Sequence, residues 1–193
     1  MIRATFNKLR IYKELPMQQL SDTAATHKFE NQQISPVVYQ TWEDRFFGKT
    51  HLKEIEGFRA LNPDLDFKLF DKVQREAYMR EYWGEHPIFS IYMCSQFGPM
   101  KADIFRYCLL YERGGFYFDI SKGCSVALST LLKKDSTALI TVESHDCFIP
   151  PNPILENRLQ HADKQVLQWG MGFAKGHPIL LRMIDNVCLH YPL

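Results

Sequence analysis

The most informative residue for chemistry is Asp119, which closes the aromatic run Phe116-Tyr117-Phe118. A carboxylate at the end of such a run is costly to bury without a cation or hydroxyl beside it. If the strand continues, positions 119 and 121 face the same side. Asp119 and Ser121 would then offer two oxygens to one bound cation or one set of sugar hydroxyls, with Lys122 adjacent. Ligands of open α/β sheets bind beyond the carboxyl ends of strands, and two other places meet that description: Gln40 to Trp42, and Asp71. The segment ahead of Asp119 carries Asp103 and Arg106 three apart, hence on one helix face, while Met100, Ile104, Cys108 and Tyr111 mark another. Taken alone, that pair reads equally well as an ordinary exposed ion pair worth ~0.3–0.5 kcal/mol.

The elements needed to position these residues are legible. Pro36 to Trp42 is a β-branched and aromatic run suited to a first strand, and Phe67 to Phe70, Phe116 to Ile120 and Ala138 to Val142 suit three more. Helical spacing is seen over 51–61, 73–83, 88–97 and 100–112, with a short helix near 126–132, one around 154–167, and a last one opened by Pro178. Pro99 fits a first helical turn, and Gly114-Gly115 a left-handed stop. Strands alternating with helices predict an α/β fold with a mainly parallel sheet covered on both faces. Residues 1–35 read as an N-terminal arm or linker and 36–193 as one domain.

Composition narrows the function classes. With 46% apolar, 13% aromatic and 23% charged residues, the chain of 193 residues is an ordinary globular one. Twenty-three Lys and Arg against 22 Asp and Glu give +1, so no global field gathers nucleic acid, and any phosphate site must be local. Cys94, Cys108, Cys124, Cys147 and Cys188 form no C-x-x-C pair and read as small buried thiols in a reducing compartment. Charges interrupt the first twenty residues, and no run reaches the ~18 apolar residues of a membrane span. These features predict a soluble, cytoplasmic protein, with peripheral membrane association still open. Ser144-His145-Asp146 lacks a nucleophile elbow, and Gly170 to Gly176 lacks dinucleotide-loop spacing. Neither is read as a site. Without further context, His177 reads as a helix cap or core imidazole and Trp169 as packing.

The string from Lys101 through Asp103, Arg106, Gly114-Gly115 and Asp119 to Ile120 resembles the sugar-binding region, with its Asp-x-Asp motif, of glycosyltransferase family 32. That family includes fungal α-1,6-mannosyltransferases and bacterial capsular polysaccharide enzymes. Three other blocks are similar in order: Val38 to Trp42; Asn62-Pro63 with Leu69 to Asp71; and Gln168-Trp169 with Gly176 to Pro178. The resemblance implies an A-type, Rossmann-like glycosyltransferase fold. It also implies a retaining transfer from a UDP- or GDP-sugar to a glycan or other hydroxyl acceptor, in polysaccharide or glycoconjugate synthesis. Asp103, Arg106 and Asp119 would be catalytic; Val38, Gln40, Trp42, Asp71, Gly115, Ser121 and Lys122 would bind the donor; Trp169 and His177 would meet the sugar or acceptor. Asp119 would ligate Mn²⁺ or Mg²⁺.

One position departs from the pattern: Ser121 stands where the family has its second Asp. A neutral hydroxyl supplies less field to a hard divalent ion than a carboxylate does. Family members also generally continue beyond the His177-Pro178 block, so a C-terminal metal or acceptor residue is expected to be missing. The alternative implied by Ser121 is a non-catalytic nucleotide-sugar or glycan-binding protein of the same fold.

Overall fold

The structure is a computed structural model that describes residues 16–142 and 166–191. In chain order its elements are β1 (Gln18–Gln19), β2 (Val37–Thr41), β3 (Phe46–Phe47), α1 (Lys49–Leu61), β4 (Asp66–Phe70), α2 (Lys72–Trp83), α3 (Pro87–Cys94), α4 (Gly98–Arg113), β5 (Gly115–Phe118), a 3₁₀ turn (Leu128–Leu131), β6 (Ala138–Leu139), β7 (Gly170–Phe173) and α5 (Pro178–His190). Five strands make the main sheet in the order β4-β2-β5-β7-β6, and β1 pairs with β3 apart from it. β2 runs parallel to both β4 and β5, whereas β7 is antiparallel to β5 and β6. The expected α/β sheet is therefore present with one reversed strand.

Alternation along the strands builds two cores. Val38, Phe67, Phe116 and Phe118 face Phe58 of α1, Leu65 and Leu128. Tyr39, Tyr117, Met171 and Phe173 face the apolar sides of α2, α3, α4 and α5. Helical structure thus covers both faces, and fully buried rings such as Phe67, Phe105 and Phe116 each contribute about 1.5–3 kcal/mol of burial. α4 feeds directly into β5 because Gly114 and Gly115 take φ of +66° and +102°. A Cβ at Gly114 would lie 2.7 Å from the Lys175 nitrogen, and one at Gly115 2.8 Å from the Val37 oxygen. Only glycine turns the chain there.

Several expectations change. β7 has no counterpart in the hydrophobic pattern because Gly170 and Gly172 dilute it. They are required because the rings of Phe118 and Phe116 lie where their Cβ atoms would be, 2.8 and 2.4 Å away. The expected strand 138–142 shortens to Ala138–Leu139, with Val142 in a single bridge to Val166. The helix expected around 154–167, the proline-rich stretch, the Ser144-His145-Asp146 string and Cys147 lie outside the described residues, apart from the extended Val166 and Leu167.

The arm expected over 1–35 is, from residue 20 onward, joined to the sheet edge. Leu20 and Ile34 are buried, Thr23 bridges Phe67, and Asp66 Oδ1 accepts from the Ala25 nitrogen at 2.8 Å. This segment covers the outer edge of β4, which would otherwise present unpaired backbone. Of the described cysteines only Cys108 is buried, and Cys94 is exposed at the end of α3, which corrects the reading of uniformly buried thiols. No helix among the described residues is long and apolar enough to cross a membrane.

Replacing Gly172 by Ala is expected to cost about 1–3 kcal/mol in urea denaturation, since the added methyl meets the Phe116 ring. Gly57→Ala, where an added Cβ meets nothing within 4 Å, serves as the control and is expected to stabilise α1 by about 0.4–1 kcal/mol.

Candidate active site

The parallel strands β2 and β5 end at a cleft of ≈ 420 Å³ walled by Thr41, Trp42, Glu43, Arg75, Gly98, Pro99, Ala102, Arg106, Tyr117, Asp119, Ile120 and Ser121. This is where a parallel sheet places a ligand, and the volume suits a small-molecule site. Asp119 lies just past the end of β5, and its nitrogen donates to the Trp169 oxygen at 2.8 Å. The strand stops at Phe118, and Lys122 N donates back to Asp119 O at 2.9 Å. Asp119 and Ser121 therefore share the cleft wall through a tight turn, not through continued strand alternation.

Arg106 organises one side of the cleft. Its side chain is only 5% exposed, and Nη2 lies 2.6 Å from Asp103 Oδ1 and 3.3 Å from Asp119 Oδ1. Nη1 donates to the Gln168 carbonyl, and the guanidinium stacks 4.6 Å over the Tyr117 ring. The Tyr117 hydroxyl donates to Asp119 Oδ1 at 3.1 Å. Burial pushes that phenol well above its ordinary pKa, so it remains a donor. Tyr107, one residue along the helix, donates to Gln168 Oε1 at 2.6 Å. Burial lifts the Asp103 carboxyl above the usual aspartate range; Arg106 opposes this and Asp119 adds to it. The pair that sequence alone could not separate from an exposed ion pair is thus part of a half-buried triad of two carboxylates and one guanidinium.

Residues 48–138 match the family described as the glycosyltransferase sugar-binding region containing DXD motif. Inositol phosphoceramide mannosyltransferase 3 of Schizosaccharomyces pombe is 28% identical over 156 residues, covering 80% of this chain and 37% of that protein. The initiation-specific alpha-1,6-mannosyltransferase of Candida albicans is 26% identical over 163 residues, or 78% of this chain and 41% of that one. This chain is a relative of the DXD glycosyltransferases. It spans less than half the length of these curated relatives. The solved structure of the PaToxG glycosyltransferase superposes with a TM-score of 0.57 over 83% of this chain and 62% of that one, at 15% identity. That likeness concerns the fold, which is of the A-type glycosyltransferase kind.

Set against the DXD glycosyltransferase pattern, the structure brings Arg106, Asp119, Trp42 and Ser121 together around the cleft, ties Asp103 to them through Arg106, and puts the other candidates elsewhere. Asp71 caps α2, accepting from Gln74 N at 2.9 Å while Gln74 Oε1 accepts from Asp71 N at 3.2 Å. Val38 is wholly buried in the core beneath α1. Gln40 is 1% exposed, and its side-chain amide has no partner among the described residues. Gly115 serves the helix-to-strand turn. Lys122 sits 5.6 Å over the Trp169 ring and, with Ser121, lines a neighbouring cavity of ≈ 390 Å³ beside α1. Because β7 is reversed, Trp169 stands at the cleft end of the sheet while His177 is carried to the far end. There His177 caps α5 and packs 4.9 Å from the Phe173 ring.

Sequence reasoning missed Arg75. It is 3% exposed, and its Nη1 donates to Thr41 Oγ1 at 2.7 Å inside the cleft. The signal was present: Arg75, Tyr78, Met79 and Trp83 form the buried stripe of α2, and an arginine on an apolar stripe requires a partner.

The raised Asp103 carboxyl has a consequence for stability. Its native pKa exceeds the unfolded one, so in the window between them the native state holds more protons and stability falls as pH rises. Compared with Asp103→Asn in urea denaturation at stepped pH, wild type is expected to gain relative stability as pH drops through that window. A pH-independent difference would contradict the raised value.

Proposed function

We propose that the chain carries the donor-binding and catalytic region of a retaining glycosyltransferase that moves a hexose from a UDP- or GDP-sugar to a hydroxyl of a glycan or glycolipid in glycoconjugate synthesis. The observation that carries this reading is the Arg106 guanidinium holding Asp103 and Asp119 at the carboxyl end of β5, in a chain related to DXD glycosyltransferases. Both named relatives are mannosyltransferases, which makes mannose the first donor sugar to test.

The geometry suits positioning and electrostatic catalysis. Carboxylates accept from sugar or ribose hydroxyls, and Arg106 fixes both in one orientation before substrate arrives. Such preorganisation lowers the barrier because it costs no rearrangement at the moment of reaction. Transfer breaks the bond from the anomeric carbon to the phosphate oxygen, and the nucleoside diphosphate leaves with the electron pair. No His or Cys is among the residues walling the cleft. In this reading the acceptor hydroxyl attacks on the face that the diphosphate leaves, and its proton passes to the departing phosphate oxygen. The second reading, a non-catalytic sugar-nucleotide binder, is favoured by Ser121 alone.

Turnover of a panel of UDP- and GDP-sugars, GDP-mannose first, with glycan and glycolipid acceptors separates the two readings. Asp119→Asn and Arg106→Ala are each expected to lower transfer by about 10²–10³, or ~3–4 kcal/mol, with the circular dichroism spectrum retained. Near-normal turnover in either folded variant would remove the site assignment. Trp42→Ala is expected to weaken nucleoside diphosphate binding about tenfold, the loss of one stacked base. A collapsed melting temperature with normal binding by the remaining folded protein would make Trp42 purely structural.

A further inference from the structure

Arg75 is the cleft cation that the scheme above leaves unused. It rises from the first turn of α2, and its Nη1 donates to Thr41 Oγ1 at 2.7 Å, its Nε to the Tyr92 hydroxyl at 3.3 Å and its Nη2 to Glu43 Oε1 at 3.3 Å. A guanidinium has five N–H donors, so two remain without an acceptor among the described residues. Two of the three partners are neutral. The third, Glu43, is 62% exposed at its side chain and meets Arg75 through one contact, so water screens the pair and the buried charge is compensated only in part. Arg106 is different: its Nη2 is shared by two carboxylates, its Nη1 serves the Gln168 carbonyl and its Nε faces the Ala102 carbonyl at 3.5 Å. The protein itself consumes that fork.

The DXD pattern implies a divalent cation to neutralise the donor's diphosphate, and the residues present do not fit one. A hard ion needs several anionic oxygens. Position 121 supplies a neutral hydroxyl, and Asp119 Oδ1 already accepts from Arg106 and Tyr117. Among the described residues no group of three or more His, Cys, Asp and Glu could hold a metal.

We propose that Arg75 binds the diphosphate of the donor, displacing Glu43, and that its charge stands where a protein-held metal would otherwise stand. The two spare N–H groups and the one that Glu43 gives up make a bidentate contact to phosphate oxygens. Thr41 fixes the guanidinium in advance, since its hydroxyl is held by the Phe70 carbonyl at 2.8 Å as well as by Arg75. Glu43 then acts as a resident anion that keeps the site paired until the diphosphate enters. This inference rests on the nucleotide-sugar reading.

The test is calorimetric titration of UDP and GDP into the 193-residue chain and its R75Q, R75K, E43Q and E43Q/R75Q variants, each in EDTA and in Mn²⁺. Wild type is expected to bind one of the two nucleotides equally well, within about twofold, in both media; R75Q is expected to weaken binding about tenfold or more, with R75K between. E43Q is expected to tighten binding about threefold, and that gain is expected to vanish in the double variant, a coupling that a merely structural arginine does not produce. Uridine and guanosine, which lack phosphate, are expected to respond to none of these changes. If R75Q does not fold, the exposed E43Q decides: tightening supports the proposal and no change overturns it. Normal nucleotide binding by folded R75Q overturns the role of Arg75 alone. A strict Mn²⁺ requirement in wild type overturns the replacement of the metal. Absence of any UDP or GDP binding by wild type overturns the proposal together with the nucleotide-sugar reading.

Discussion

A nearly buried guanidinium must be supplied with acceptors, and Arg106 finds them on three separate parts of the chain. Asp103 lies one turn back on α4, Asp119 follows β5, and the Gln168 carbonyl precedes β7. The requirement to satisfy one buried cation therefore draws a helix, a strand end and the approach to a second strand to a single point. The Tyr117 ring supplies the floor. Removing the guanidinium would leave two carboxylates facing each other across a half-buried site, a larger disturbance of the site than the loss of a single hydrogen bond.

The sheet makes that point reachable. β2 and β5 run parallel and adjacent, so Thr41 and Trp42 emerge beside Asp119. Gly98, Pro99 and Ala102 at the start of α4 form the opposite wall. Small residues there keep the helix from filling the space. The reversed β7 closes the side away from β2 and brings Gln168 and Trp169 to the same end.

Much of this was legible in the sequence because the signals were local. The aromatic run into Asp119, the three-residue step from Asp103 to Arg106 and the Gly114-Gly115 stop each depend on neighbours a few positions apart. What escaped depended on distant partners. β7 carries glycine at alternate positions because of rings on β5, and nothing within Gly170–Phe173 announces that. Residues 16–35 looked peripheral because their polar side chains are engaged at the edge of β4, as Asp22 is with the Leu69 nitrogen and Arg45. Asp71 followed a strand, as a ligand-binding residue does, yet the same position is where a helix needs its N-cap. The two demands share one residue type, and only the fold separates them.

The alternation of glycine and large residues in β7 also fixes a register. Side chains in a strand repeat every two positions, so a slip by one residue exchanges the faces. Here the slip would press Met171 or Phe173 onto the rings of Phe116 and Phe118, in space that Gly170 and Gly172 leave open. Such a collision adds about 1–3 kcal/mol to the lost pairing of a four-residue strand. The same register sets the axial position at which the Gln168 carbonyl, two residues upstream, meets Arg106. A short, glycine-diluted strand with little intrinsic β preference thus acts as a ratchet tooth, setting the alignment of the cleft by steric exclusion.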